Sequence, residues 1–95
     1  IYKKSVLSYA NVGATSLFTT VEDLSKWAAN FQTMKVGNES VMQRMQEPFV
    51  LNKGDTTQYG YGIGMGKYKG LRTLSHGGAD AGYRTMLLIF PDQQL

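Results

Sequence analysis

Apolar and polar residues alternate along the second half of the chain, and this alternation predicts β-strands. Residues Tyr59–Lys67 and Leu71–His76 alternate with a period of two, and a turn at Lys67–Gly70 joins them into an antiparallel hairpin. A glycine-rich turn is expected over Gly77–Gly82, where glycine adopts unusual backbone angles at little cost. In Thr85–Phe90 both faces are apolar, which is typical of a strand covered on both sides.

The first half of the chain has the spacing of an amphipathic helix, with apolar residues three or four positions apart. The apolar stripe consists of Val21, Leu24, Trp27, Ala28 and Phe31. Thr19 or Thr20 is expected to cap this helix, and Thr19 with Glu22 fits a capping box. Because Trp27 lies on the stripe, we predict that it is a core residue and not a ligand platform.

A shorter helix is predicted after residue 38. Asn38 is its expected cap, and Pro48 is expected to end it. Its apolar stripe is formed by Val41, Met42 and Met45. Two helices followed by an antiparallel sheet of about three strands predict an α+β fold.

The length of 95 residues allows one small domain with a thin core. The chain does not begin with methionine, and Leu95 follows directly on the turn signal Pro91–Gln94. A strand covered on both faces needs neighbours beyond those in the chain. We therefore expect residues 1–95 to be a single partial domain truncated at both ends, and we expect the isolated chain to self-associate through its exposed strand edge.

Composition excludes several classes of function. The net charge of +3 comes from scattered lysine and arginine residues, which does not favour a nucleic-acid partner. No apolar run approaches the roughly 20 residues of a membrane span. The chain has no cysteine and one histidine, so neither a thiolate metal site nor a histidine cluster is available. No metal and no cofactor are expected.

The single histidine is the main candidate for chemistry. His76 ends a predicted strand and precedes Gly77 and Gly78. It is either a hydrogen-bonded structural histidine, or a metal ligand, for which companions are lacking, or a proton relay beside an oxyanion site. In the third case, backbone N–H groups after Gly78 would point at a developing alkoxide, and the glycines would keep the site accessible.

Four segments resemble, in order, those of the serine β-lactamase and penicillin-binding-protein superfamily. The run from Gly13 to Trp27 resembles the segment that usually reads G-A-G-G-L-x-S-T-x-x-D-L-x-x-W. The later portion of the superfamily's sequence is matched, in the same order, by Tyr59-Gly60-Tyr61-Gly62-Ile63-Gly64, by Ser75-His76-Gly77-Gly78 and by Gly82-Tyr83-Arg84. The most similar group is the class C-like β-lactamases, D-amino-acid peptidases and esterases. The resemblance covers nearly the whole chain from Gly13 onward and implies the C-terminal part of a catalytic domain.

The resemblance also implies roles for individual residues. His76, Gly77 and Gly78 occupy the place of the Lys-Thr-Gly-type third motif, so His76 would stand for the lysine that binds a substrate carboxylate and tunes the proton relay. Gly78 would keep the strand edge open. The Ala79 N–H would be an oxyanion donor, and Gly77 would contact the substrate beside it. A histidine carries less positive charge at pH 7 than a lysine, which favours an esterase or peptidase over an efficient β-lactamase.

The nucleophile of that superfamily is missing from this sequence. No serine is followed by lysine three residues later, and Tyr9-Ala10-Asn11 lies too close to Gly13 to be the family's Tyr-x-Asn motif. The segment alone is therefore expected to be inactive. It would hold one wall of a site for a small-molecule or peptide substrate. The resemblance favours an extracytoplasmic location, periplasmic or secreted, which the sequence itself does not fix. The alternative is a non-catalytic binding or structural module.

Overall fold

The computed structural model describes residues 2–3 and 13–95 and confirms the α+β fold. Two helices come first, α1 (Val21–Thr33) and α2 (Glu39–Met45). Three strands follow, β1 (Gly64–Tyr68), β2 (Leu71–Asp80) and β3 (Tyr83–Ile89), and they form an antiparallel sheet in the order β1-β2-β3. A single 3-10 turn, Pro91–Gln93, comes after the sheet.

Helix α1 begins at a threonine cap, although the partner differs from the predicted one. The Thr20 hydroxyl oxygen accepts a hydrogen bond from the Asp23 N–H at 3.2 Å. The predicted capping box of Thr19 with Glu22 is therefore wrong by one residue. Trp27 is also less buried than predicted: it is 38% exposed and packs edge-on against Phe31, with ring centroids 5.7 Å apart. It lies at the rim of the core because no further layer covers this side of α1 within the described residues.

Helix α2 has the predicted cap and end. The Asn38 side chain accepts a hydrogen bond from the Val41 N–H at 2.9 Å, and the helix stops at Met45 before Pro48. The linker between the helices is held by Asn30, which is 4% exposed. Its amide oxygen accepts from the Val36 N–H at 2.9 Å, and its amide nitrogen donates to the Val36 carbonyl at 3.0 Å. This pair of bonds satisfies a buried amide.

The first hairpin is confirmed, but β1 is shorter than predicted. Tyr68 pairs with Leu71 across Lys69-Gly70, whose φ angles of 48° and 81° are those of the two-residue turn that best matches strand twist. The strand begins at Gly64 and not at Tyr59. Residues 60–63 form a tight turn, in which the Gly60 N–H donates to the Ile63 carbonyl at 2.8 Å. The tyrosine–glycine alternation is therefore compatible with a turn as well as with a strand.

Strand β2 is longer than predicted. It continues through Gly77 and Gly78 to Asp80, and the connection to β3 consists only of Ala81-Gly82. The expected glycine-rich turn over residues 77–82 is wrong because the whole length of β3 pairs with β2, from Leu74↔Ile89 to Asp80↔Tyr83. Pairing supplies hydrogen bonds that outweigh the low strand preference of the two glycines.

The core lies on one face of the sheet, under the helices. It is formed by Phe31, Met42, Ile63, Leu74 and Ile89. Leu87 packs against this cluster, whereas Met86 is 73% and Leu88 51% exposed on the other face of β3. Within the described residues β3 is covered on one face only, so the covering of its second face stays a prediction.

Gly78 has a packing reason to be glycine, whereas Gly77 does not. Gly78 lies opposite Thr85, and a Cβ atom at position 78 would collide with the Thr85 hydroxyl oxygen. A Cβ atom at Gly77 would meet the Met86 Cε at 3.9 Å, an ordinary van der Waals contact. The two neighbouring glycines therefore differ in the space around them.

Arg72 on β2 holds the 3-10 turn to the sheet. Its guanidinium donates to both carboxylate oxygens of Asp92, at 3.3 and 3.1 Å, and to the Gln46 side-chain oxygen at 3.2 Å. The hydrogen bond from Arg72 lowers the pKa of Asp92 below the ordinary value of 3.8; desolvation opposes this shift, and the positive charge of Arg72 adds to it. A lowered carboxyl pKa stabilises the folded state above the ordinary pKa, and the stabilisation disappears as the pH falls through the folded pKa.

We predict that Gly78→Ala lowers the free energy of unfolding by about 1–3 kcal/mol, because the Thr85 side chain must move. Gly77→Ala, the matched control, should change it little. Thr85→Ala in the Gly78→Ala background should restore much of the loss, measured as a double-mutant cycle by urea unfolding. Equal effects of the two glycine substitutions would contradict the packing difference.

We predict that Asp92→Asn lowers stability near pH 7 by a small amount, since an exposed ion pair contributes little. The difference from the unmodified protein should shrink to nothing as the pH falls below the pKa of Asp92, because the carboxylate is then protonated in both states. Thermal unfolding between pH 2 and 7 measures it. Asp55→Asn, whose carboxylate forms no ion pair in the described residues, is the control. A difference that persists at low pH would contradict the prediction.

Candidate functional site

The direction of the backbone hydrogen bonds along β2 decides which amides are available for a ligand. The Met65 N–H donates to the Gln58 carbonyl at 2.8 Å, away from β2, so the Met65↔Leu74 pair is not hydrogen-bonded. Paired residues in antiparallel strands alternate between the two kinds of pair. The polar backbone groups of Leu74, His76 and Gly78 therefore face β3. Those of the residues between them face the opposite edge.

This opposite edge of β2 is open beyond residue 75. The ladder between β1 and β2 ends at Gly64↔Ser75, while β2 continues for five residues to Asp80. Gly77 and Ala79 point their N–H and C=O groups to this side, and no strand within the described residues pairs with them. Both residues are exposed. We name the segment from His76 to Ala79 the open edge.

The structure brings the four residues that the sequence singles out together on this segment. His76 is exposed, and its backbone pairs with Leu87 of β3. Gly77 and Ala79 lie on the open side, whereas the polar groups of Gly78 are used in the pairing with β3. The unpaired N–H groups of Gly77 and Ala79 lie two residues, or about 6.6 Å, apart, so they can pair with an extended polar group such as a peptide backbone beside the exposed imidazole. Their roles in catalysis stay predictions.

Sequence reasoning missed Tyr59 as a neighbour of His76. The two ring centroids are 6.1 Å apart and the ring planes are inclined at 56°. Tyr59 forms an isolated bridge with Gly64 on the side of β1 that faces away from β2, and its ring reaches across Gly64. The alternation of tyrosine with glycine was the only signal, because a side-chain-free neighbour allows such a reach.

Other described parts of the chain have fewer features of a functional site. Two shallow clefts of about 130 and 280 Å³ lie beside α2 and between α1 and β3, and neither is lined by residues of the open edge. Among residues 2–3 and 13–95, no three acidic, histidine or cysteine side chains converge on a point where a metal could bind. Within the same residues no helix has the length and apolar character needed to cross a membrane. Tyr9-Ala10-Asn11 lies outside the described residues.

Comparison with known families shows to which family the chain belongs. The model of the Beta-lactamase family matches residues 2–95, which is nearly the whole sequence. No curated protein and no solved structure matches it significantly. The match confirms the resemblance drawn from the four ordered segments, and the two helices with a following antiparallel sheet agree with it. The chain therefore belongs to the Beta-lactamase family.

Proposed function

We propose that this chain forms one wall of the active site of a serine hydrolase, of the esterase, D-amino-acid peptidase or β-lactamase type. The observation that carries the proposal is the open edge, where two unpaired amides follow an exposed imidazole. Family membership supports a serine-hydrolase origin. The substrate would be an ester or amide of a small molecule or peptide, and the protein would act outside the cytoplasm.

The chemistry would be acyl transfer. A serine attacks the substrate carbonyl, and the negative charge that develops on the carbonyl oxygen needs donors already in place. The Ala79 N–H would be one of these donors, since it points away from β3 and no described strand uses it. Collapse of the tetrahedral intermediate would release the alcohol or amine, and water would then hydrolyse the acyl-enzyme. Gly77, on the same side, would pair with the backbone or amide of the substrate.

The serine would come from outside these residues. No Ser-x-x-Lys motif occurs among the 95 residues, so the chain by itself should show no turnover. The full-length protein is therefore the form in which activity is measured. A protein that binds esters or amides without turnover would instead be a binding module that uses the same open edge.

We predict that Ala79→Pro lowers kcat for a chromogenic ester by about 10²–10³-fold in the full-length protein, because it removes a single oxyanion donor. Proline is suitable here, since the Ala79 N–H takes no part in the ladder with β3 and proline is tolerated at strand edges. Ala79→Gly keeps the N–H and is the matched control. Thermal unfolding establishes that both variants are folded.

An Ala79→Pro variant that is folded and retains more than a third of the activity would contradict the role of this amide. A loss shared equally by Ala79→Gly would point to packing instead of hydrogen bonding. Absence of turnover in the unmodified full-length protein would remove the catalytic proposal altogether.

We predict that His76→Lys changes substrate preference. The lysine ammonium carries its full charge at neutral pH and attracts a carboxylate more strongly than imidazole does. The ratio of kcat/KM for a substrate with a free carboxylate to that for its methyl ester should therefore rise by about tenfold, mainly through KM. Lys67→Arg, which keeps the charge of an exposed residue at a different position of the sheet, is the control. An unchanged ratio would show that position 76 does not face the substrate.

A further inference from the structure

The Tyr59 ring lies where the open edge begins. Its centroid is 6.1 Å from that of the His76 imidazole. The ring also lies against Gly64, where a Cβ atom would meet its Cδ2 at 3.8 Å, and Gly64 forms the last pair of the β1–β2 ladder with Ser75. An aromatic surface therefore borders both the imidazole and the first unpaired part of β2.

The backbone holds Tyr59 in place from several sides. Its carbonyl oxygen accepts hydrogen bonds from the Phe49 N–H and from the Thr57 hydroxyl, each at 3.1 Å. The bridge to Gly64 adds a hydrogen bond from the Met65 N–H to the carbonyl of Gln58, the residue before Tyr59, at 2.8 Å. The side chain is nevertheless 43% exposed. A positioned and exposed aromatic ring loses little entropy when a ligand packs against it.

The neighbouring Tyr61 differs in its surroundings. Its ring packs against Phe49, with centroids 5.1 Å apart, and lines the shallow cleft beside α2. It is 50% exposed, close to the value for Tyr59. The two tyrosines therefore form a matched pair, of which Tyr59 alone contacts His76.

We propose that Tyr59 is a specificity-determining residue that favours substrates with an aromatic group about 10 Å from the scissile carbonyl. The proposal rests on the proposed function, because it places that carbonyl at the Ala79 N–H. His76 precedes Ala79 by three residues, and a strand rises about 3.3 Å per residue, so the two lie about 10 Å apart along the edge. A phenyl group at that distance would pack edge-on or offset against the Tyr59 ring.

The test uses two pairs of thioesters with the full-length protein. Each pair consists of a compound ending in phenyl and a matched compound ending in methyl. In the first pair this group ends the acyl chain, and in the second it ends the leaving thiol. The phenyl group lies about 10 Å from the scissile carbonyl in both pairs. In one of the two pairs, the kcat/KM of the phenyl compound should be about five- to tenfold higher than that of its matched methyl compound. Tyr59→Ala should abolish this preference and bring the phenyl-to-methyl ratio of kcat/KM to about one. Tyr59→Phe and Tyr61→Ala should retain it.

The outcomes separate the two proposals. If no thioester is hydrolysed, the proposed function fails, and the inference is then tested by binding of the corresponding non-hydrolysable ketones. The phenyl ketone should shift the ring-proton NMR signals of Tyr59 and His76 and bind about five- to tenfold more tightly than the methyl ketone. Turnover or binding in which Tyr59→Ala leaves the phenyl-to-methyl ratio unchanged in both pairs would overturn the inference. An equal loss in Tyr61→Ala would overturn it as well.

Discussion

The hydrogen-bond alternation of a single strand, β2, is the constraint on which the candidate site depends. In an antiparallel sheet each residue directs its N–H and C=O to one side only. Because β3 pairs with β2 from Leu74 to Asp80, whereas the pairing with β1 ends at Ser75, alternate residues after Ser75 point to an unpaired edge. His76 and Gly78 are held by β3, and Gly77 and Ala79 are left available. A one-residue change of register would exchange these roles.

A small core fixes β2 in this register. Leu74 is completely buried between Ile89 of β3 and the side chains that α1 and α2 contribute, Phe31 and Met42. Moving β2 by one residue would turn Leu74 toward the other face, where Met86 and Leu88 of β3 remain exposed in the described part of the chain. Leu74 therefore stabilises the fold and, because its burial fixes the register of β2, also determines the direction of the Ala79 N–H.

The sequence predicted the features that depend on local chemistry. The Asn38 cap and the hairpin at Lys69-Gly70 follow from neighbouring residues alone, and so does the order of helices before strands. The path of the chain through Gly77-Gly78 was mispredicted because pairing with β3, a tertiary interaction, overrides the low strand preference of glycine. At the site, His76 was singled out as the one histidine of the chain beside two glycines, and the roles assigned to it and its neighbours came from a family resemblance. Tyr59 was missed because its ring approaches His76 only through a turn at residues 60–63 that the alternating pattern concealed.

Amide hydrogen exchange along β2, followed residue by residue by NMR in the absence of ligand, tests the central claim most directly. The open edge requires slow exchange at His76 and Gly78, whose N–H groups bond to β3, and fast exchange at Gly77 and Ala79. This alternation of slow and fast amides would establish that the edge is available to a substrate. Uniform protection from residue 76 to residue 79 would show that the edge is already occupied and would contradict the assignment of Ala79 as an oxyanion donor.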